Sequence, residues 1–255
     1  MNPVSIQTSE GIPIHSVDDW FRLAPPKKGS RQWKDGRSAK ELAKAWFRTG
    51  TPQVPEELEG LFESHPATQS LVIERGIPEM QTRLDDFRGE KRNHDLILLG
   101  HAGSVSTLVA IEAKADEEFG PVIQDYLEKT KGTSSNVPHR IDLLSRSIFG
   151  RPIDEELGQI RYQLLHGLGG TLIEAKNQGA TQAVFVVHEF ISGNAAQENV
   201  DRNAADFERF MHALSGGEEA VVSEGILIGP IRVPGGEFVP ADVPVLIGKV
   251  TTVLK

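Results

Sequence analysis

The chain contains no cysteine. That excludes disulfides, thiolate-bound metals and a cysteine nucleophile, and it suits a cytoplasmic protein. No apolar run approaches the roughly 18 residues of a membrane span, so no membrane association is expected. The N-terminal stretch MNPVSIQTSEGIPIH lacks a basic segment followed by an apolar block, so no signal peptide is expected either. Positive charge is in short supply: 27 Lys and Arg stand against 36 Asp and Glu, for a net charge of -9. Such a surface repels bulk nucleic acid, and any phosphate backbone must meet a local basic surface. Internal repeats and low-complexity segments are absent.

The hydrophobic content, 38% of 255 residues, suffices for a real core. No composition break marks a second domain, so residues 1–255 read as one. Trp20, Trp33 and Trp46 all lie in the first fifth and are expected to pack N-terminal helices onto the core. Ser16-Val17-Asp18-Asp19 resembles a capping box opening a helix to Leu23. Ser38 reads as the cap of SAKELAKAWF, and Pro55 to Phe62 as a further short helix. Leu71-Val72-Ile73 is a predicted strand. Residues 78–93 read as a polar, irregular loop whose Arg83, Arg88, Lys91 and Arg92 either meet a phosphate backbone or are simply solvated. Downstream, helices are expected over 122–131 and 139–149, and a long one from Asp154 to about Gln178. In that long helix Gln159, Gln163 and His166 share one face, and Gly167, Gly169 and Gly170 imply close packing or a break. The remainder reads as a buried strand over 182–188, a polar loop over 192–199, a helix over 200–214, and late strands at 226–228 and 245–247.

The most informative stretch is HDLILLGHAGSVSTLVAIEAKADEEF, residues 94–119. Leu96 to Leu99 and Leu108 to Ile111 are continuous apolar runs, as in strands buried on both faces. Between them, Gly100 to Ser104 is turn chemistry. A hairpin centred between Gly103 and Ser104 sets Asp95 opposite Glu112. Side-chain alternation then puts Lys114 on the same face as Glu112. Two facing carboxylates need a cation between them, either the Lys114 ammonium or a Mg²⁺ ion held by two carboxylates, water and substrate phosphate. The carbonyl of Ala113 would complete such a ligand set, and a metal there would suit phosphodiester hydrolysis.

Asp95 followed by Glu112-Ala113-Lys114 resembles the signature of the PD-(D/E)XK nuclease superfamily, with His94 where that superfamily usually has Pro. The resemblance implies a restriction-endonuclease-like α/β core: a mixed central sheet flanked by helices, spanning residues 67–192. Residues 1–66 would then be a helical N-terminal extension and 193–255 a C-terminal helix and strand addition. It also implies that Asp95 and Glu112 bind Mg²⁺ (or Mn²⁺), that Lys114 assists the attacking water, and that Gln163 in RYQLLH is the polar residue such proteins often carry on the following helix. A further acidic residue from an early helix would be Glu41 or Glu57. The implied partner is nucleic acid, DNA ahead of RNA, with a homodimer or a protein partner left open. The strings IEAKADEEFGP and IRYQLLH also resemble a bacterial family without an assigned function. Against the nuclease stand three alternatives. The first is a structural ion-pair cluster in a nuclease-fold module that binds or regulates without cleaving. The second is an enzyme on a small phosphorylated substrate, and the third a helical His94-Asp95 phosphohydrolase. Asp116, Glu117 and Glu118 are read as the acidic first turn of the next helix ahead of a second metal site. His166 and His188 are read as core or surface histidines as readily as ligands.

Overall fold

The computed structural model describes residues 4–89, 91–193, 197–217 and 223–254. Strand β1 (Ser5–Ile6) precedes three short helices, α1 (Val17–Leu23), α2 (Ser38–Trp46) and α3 (Glu56–Glu63). Strands β2 (Leu71–Thr82), β3 (Arg92–Ala102) and β4 (Val105–Lys114) follow as a meander. Then come α4 (Ile123–Thr130), α5 (Val137–Phe149), α6 (Glu155–Gly158) and α7 (Tyr162–Asn177). Strand β5 (Gln182–Ser192), α8 (Gln197–Leu214), β6 (Ile228–Ile231) and β7 (Val245–Leu254) complete the chain. One mixed sheet runs β1-β2-β3-β4-β5-β7-β6. The meander is antiparallel, and β4, β5 and β7 are mutually parallel. This is an α/β architecture with helices on both faces. Among the described residues no helix is long and apolar enough to cross a membrane.

The sheet divides two cores. On one face Ile97, Leu99, Leu108, Ala110 and Phe185 pack with Leu164, Leu168 and Phe207 of α7 and α8. On the other, Leu96, Leu98, Val109, Ile111 and Val184 pack with Trp20, Leu42, Trp46 and Leu61. Central strands covered on both sides bury every residue, which is why these runs are apolar without alternation. The N-terminal tryptophans serve this second core, Trp20 and Trp46 buried and Trp33 half-buried against it. Helix α7 lies close on the first face through its glycines. A Cβ on Gly167 would come within 2.9 Å of the Phe185 ring, and one on Gly170 within 3.0 Å of Arg92 Cγ. Three helical glycines cost about 1 kcal/mol each against alanine, and this close approach offsets that.

Several elements depart from the sequence reading. The long helix is two: α6 ends at Gly158, and Arg161 is extended before α7 begins. The break is held from outside, by Ile123 N–H donating to Ile160 O at 2.9 Å and Tyr162 N–H to Pro121 O at 3.1 Å. Gln159 therefore lies outside α7 and donates to Gln124 at 2.9 Å. Residues 78–82 and 92–93 are strand, so the polar loop is shorter than expected; Glu90 within it lies outside the described residues. Ser16 does cap α1, accepting from Asp19 N–H at 3.0 Å, and Asp19 accepts in turn from His15 N–H at 3.3 Å. Ser38 is not the cap of α2; Arg37 holds that position and the Ser38 hydroxyl donates to Glu117. The polar loop expected over 192–199 is interrupted by α8 from Gln197 onward, and residues 194–196 lie outside the described residues. At the C-terminal end β6 begins only at Ile228, while β7 pairs with β5 along ten residue pairs, from Ala183–Val245 to Ser192–Leu254.

Candidate functional site

Strands β3 and β4 pair Leu96 with Ile111 and continue in one register to Ala102 with Val105, around a turn at Gly103. This is the register expected from the apolar runs, and its next step sets Asp95 opposite Glu112. Both belong to the face covered by α7. The Asp95 carboxylate accepts the Ala113 N–H at 2.7 Å. Glu112 is 1% exposed and accepts three donors. Lys114 Nζ, at 2.7 Å, and Gln163 Nε2 reach Oε1, while the Arg92 guanidinium reaches Oε2. Lys114 Nζ also donates to the Ala113 carbonyl at 3.2 Å. Asp95, Glu112, Ala113, Lys114 and Gln163 therefore meet at one end of the sheet.

Two members of the cluster were not singled out from sequence. Arg92, read as a loop cation, is a buried β3 residue held against Glu112. Glu79 of β2 accepts from the Asn93 amide and takes φ 54°, a left-handed conformation rare for a non-glycine residue. The side-chain phase changes at this point. Ile77 and Ile97 face the α7 core, and so do Met80 and His94 three residues further along each strand. Strained backbone of this kind tends to collect at functional sites.

The electrostatics are unbalanced. Burial, then the Asp95 charge, pushes Glu79 up to about 8. Burial, then the Glu112 charge, pushes Asp95 up to about 7. Burial alone would raise Glu112 as well, but Lys114 and Arg92 outweigh it and hold that carboxyl below its ordinary value. Lys114 is desolvated, yet Glu112 and Asp95 raise its pKa, so it stays protonated. Three carboxyl groups thus share two cations, and near neutral pH Glu79 and Asp95 hold protons that a metal ion would displace. The hard oxygen donors of Asp95, Glu112 and the Ala113 carbonyl fit Mg²⁺ or Mn²⁺ completed by water and phosphate. Glu112 would give up one of its donors on ligating. Among the described residues no three His, Cys, Asp or Glu side chains are grouped to hold a metal, so any ion would depend on this smaller set.

Two neighbouring clefts open beside the cluster. One, of about 890 Å³, is bordered by Glu79, Asn93, Lys91 and the loop after α1. The second, of about 630 Å³, reaches Arg92 and Gln163 and continues to Tyr126, Arg140, Tyr162 and His166. Lys27, Lys91 and Asn93 border both.

The other sequence candidates lie elsewhere. Glu41 pairs with Lys44, and Glu57 with Arg48 at 3.1 Å; both line a separate cleft with Phe190 and Thr252. Neither supplies the extra acid, and the acidic residue beside Asp95 is Glu79. Asp116, Glu117 and Glu118 precede α4 as loop, not as its first turn. Asp116 has φ 58°, Glu117 accepts from Ser38, and Glu118 pairs with Arg161 at 2.9 Å. His94 is buried on a strand against Thr82 Oγ1 at 3.0 Å, unlike the helical phosphohydrolase arrangement. His188 is buried against Thr252 Oγ1 at 2.8 Å. His166 borders the second cleft, and its pKa is lowered by burial and then by Arg92.

Residues 13–254 match the family described as Domain of unknown function (DUF6946), and the chain belongs to that family. No curated protein and no solved structure matches it.

Proposed function

We propose that this protein is a divalent-metal-dependent phosphodiesterase acting on nucleic acid, built on a restriction-endonuclease-like core. The observation that carries the reading is the meeting of Asp95, Glu112, Lys114 and Gln163 at the sheet end, beside a cation-walled cleft. The antiparallel meander followed by α7 and a parallel β5 is the order such a core requires. Asp95, Glu112 and the Ala113 carbonyl would hold the ion. When bound, Mg²⁺ or Mn²⁺ would supply Lewis acidity and a water made nucleophilic near neutral pH. Lys114, protonated and fixed by Glu112, would orient the attacking water and stabilise charge developing on the phosphate. Gln163 fixes the Glu112 carboxylate from α7. The expected setting is cytoplasmic, with DNA ahead of RNA as substrate.

A second reading rests on Glu112 itself. Its two oxygens already accept three donors, as in a purely structural cluster, and the chain would then be a nuclease-fold interaction module without turnover. One assay separates the two. Purified protein is incubated with single- and double-stranded DNA and RNA, with Mg²⁺ or Mn²⁺ and with chelator, beside Asp95→Ala, Glu112→Ala and Lys114→Ala. Metal-dependent cleavage that each substitution lowers roughly 10²-fold or more supports the hydrolase. Cleavage surviving all three removes this site. Absence of both cleavage and metal binding favours the module.

A further inference from the structure

The 630 Å³ cleft has a composition out of keeping with the chain. In a protein of net charge -9, its wall carries Lys27, Lys28, Lys91, Arg92 and Arg140 and no Asp or Glu. Among the described residues neither the Lys28 nor the Lys91 ammonium has an ion-pair partner. Lys91 is exposed and Arg92 is buried, so positive charge runs from the rim down to Glu112. The same wall is aromatic. The chain has only two tyrosines, and both are here: Tyr126 of α4 and Tyr162 of α7, ring centres 5.1 Å apart and edge-to-face. His166 continues the row, 4.6 Å from Tyr162. Burial, followed by the Arg92 charge, keeps its imidazole neutral. Arg140, anchored by Asp85, acts on the Tyr162 hydroxyl and raises no need for another anion.

Two exposed ammonium groups, Lys28 and Lys91, without an ion-pair partner among the described residues and set beside edge-to-face aromatic rings, recognise a group with an anionic and a flat aromatic part. The volume lies in the range of sites for one small ligand. We infer that this cleft takes one unpaired nucleotide of a single-stranded nucleic acid, its base against Tyr126 and its phosphate on Lys28, Lys91 and Arg92. A duplex keeps its base faces inside the stack and offers none to a tyrosine, whereas single strands are bound by base–aromatic stacking in a basic groove. The inference rests on the hydrolase reading for one point, that the bound strand is the substrate. It places the backbone of that strand next to Glu112, because Arg92 and Gln163 belong both to the cleft and to the carboxylate cluster.

The test measures binding of the intact chain in chelator, by fluorescence anisotropy, to a labelled single-stranded oligonucleotide, its blunt duplex and an unlabelled mononucleotide competitor. The single strand is expected to bind at least about fivefold more tightly than the duplex. Tyr126→Ala should weaken it at least about fivefold, and Tyr126→Phe should restore it. Lys91→Glu, at an exposed position, should weaken binding and lower the salt dependence by about one phosphate contact. Equal or tighter binding of the duplex overturns the inference, and so does wild-type affinity in Tyr126→Ala. A mononucleotide that binds as tightly as the oligonucleotide makes this a free-nucleotide site and overturns it too. Strand binding without cleavage on adding Mg²⁺ leaves the inference standing and removes the hydrolase reading. Cleavage of duplex with no single-strand preference does the reverse.

Discussion

Two buried ionic clusters sit on the same face of the sheet, one strand apart. In the first, Glu79, Asp95 and Glu112 share Arg92 and Lys114. In the second, Glu189 of β5 meets Lys249 of β7 at 2.6 Å and accepts from the Asn203 amide of α8 at 2.7 Å. Register links them, since Lys114 pairs with Glu189 across β4 and β5. The second cluster is balanced, one acid against one base, and Asn203 ties it to the Glu117 carbonyl at 3.0 Å. Its charges cancel, although the Asn203 Oδ1 atom is buried without a hydrogen-bond partner among the described residues. The first has one carboxyl group more than it has cations, lifts two carboxyl pKa values well above their ordinary range, strains the backbone at Glu79 and opens on two clefts. Burial of charge by itself therefore says little about function. Imbalance together with access is what distinguishes the two.

Substitution of the two lysines should give crossed results. In Lys249→Met, Glu189 loses its only cation in the cluster. Breaking a buried pair on one side costs about 3–5 kcal/mol, read as a lower urea midpoint, while any metal-dependent cleavage stays within a few-fold of wild type. In Lys114→Met, Arg92 still holds Glu112. Stability should fall by only about 1.5–3 kcal/mol, and cleavage roughly 10²-fold or more. If both variants lose stability alike and neither changes turnover, the two clusters are of one kind and the comparison collapses.

Acid would break both clusters at once, but His188 confounds that experiment. Burial lowers this imidazole to about 4 from 6.5. It lies on β5 next to Glu189 and is bonded to Thr252, with Glu57 and Arg48 the charged groups that act on it. Between pH 4 and 6.5 the unfolded chain binds the extra proton, so stability rises with pH there. The contribution is complete above about pH 6.5 and is lost as the pH falls through 4, about 3 kcal/mol in all. Urea midpoints measured across this window should show a flatter acid limb in His188→Gln than in wild type. An unchanged limb would assign the acid lability to the carboxylate clusters.

The legibility of these regions differs for physical reasons. The β3–β4 hairpin could be read to the residue because its strands are buried on both faces and its turn is marked by Gly103. That register alone brings Asp95, Glu112 and Lys114 together. Arg92 and Glu79 escaped because β2 and β3 run on past the apolar runs into polar sequence, where the φ of Glu79 breaks the alternation a strand would show. The α6–α7 break escaped for the opposite reason. Leu157, Ile160 and Leu164 keep helical spacing across it, and what ends α6 is a pair of backbone bonds from residues 121 and 123, invisible to any local pattern. The crowding of carboxyl groups in the first cluster was partly legible; the balance of the second was not, since Glu189, Lys249 and Asn203 are joined only by the order of the parallel strands and the packing of α8.

Gln163 gives the smallest and sharpest test of the comparison. It is the amide of the first cluster, as Asn203 is of the second, and each donates to its central carboxylate. Asn203 is 1% exposed and also serves a backbone carbonyl, whereas Gln163 is half-buried on the wall of the cleft. Asn203→Leu should thus cost about 1–3 kcal/mol of stability, because it leaves buried acceptors short of a donor, with turnover unchanged. Gln163→Leu should leave the urea midpoint nearly in place, since Lys114 and Arg92 still satisfy Glu112. Its effect should fall on the rate, about tenfold in kcat with little change in KM, equivalent to about 1.4 kcal/mol lost in holding the carboxylate for the reaction. A Gln163→Leu enzyme that loses stability and keeps its rate would make Gln163 a structural amide like Asn203, and would leave Asp95, Glu112 and Lys114 to carry the chemistry without help from α7.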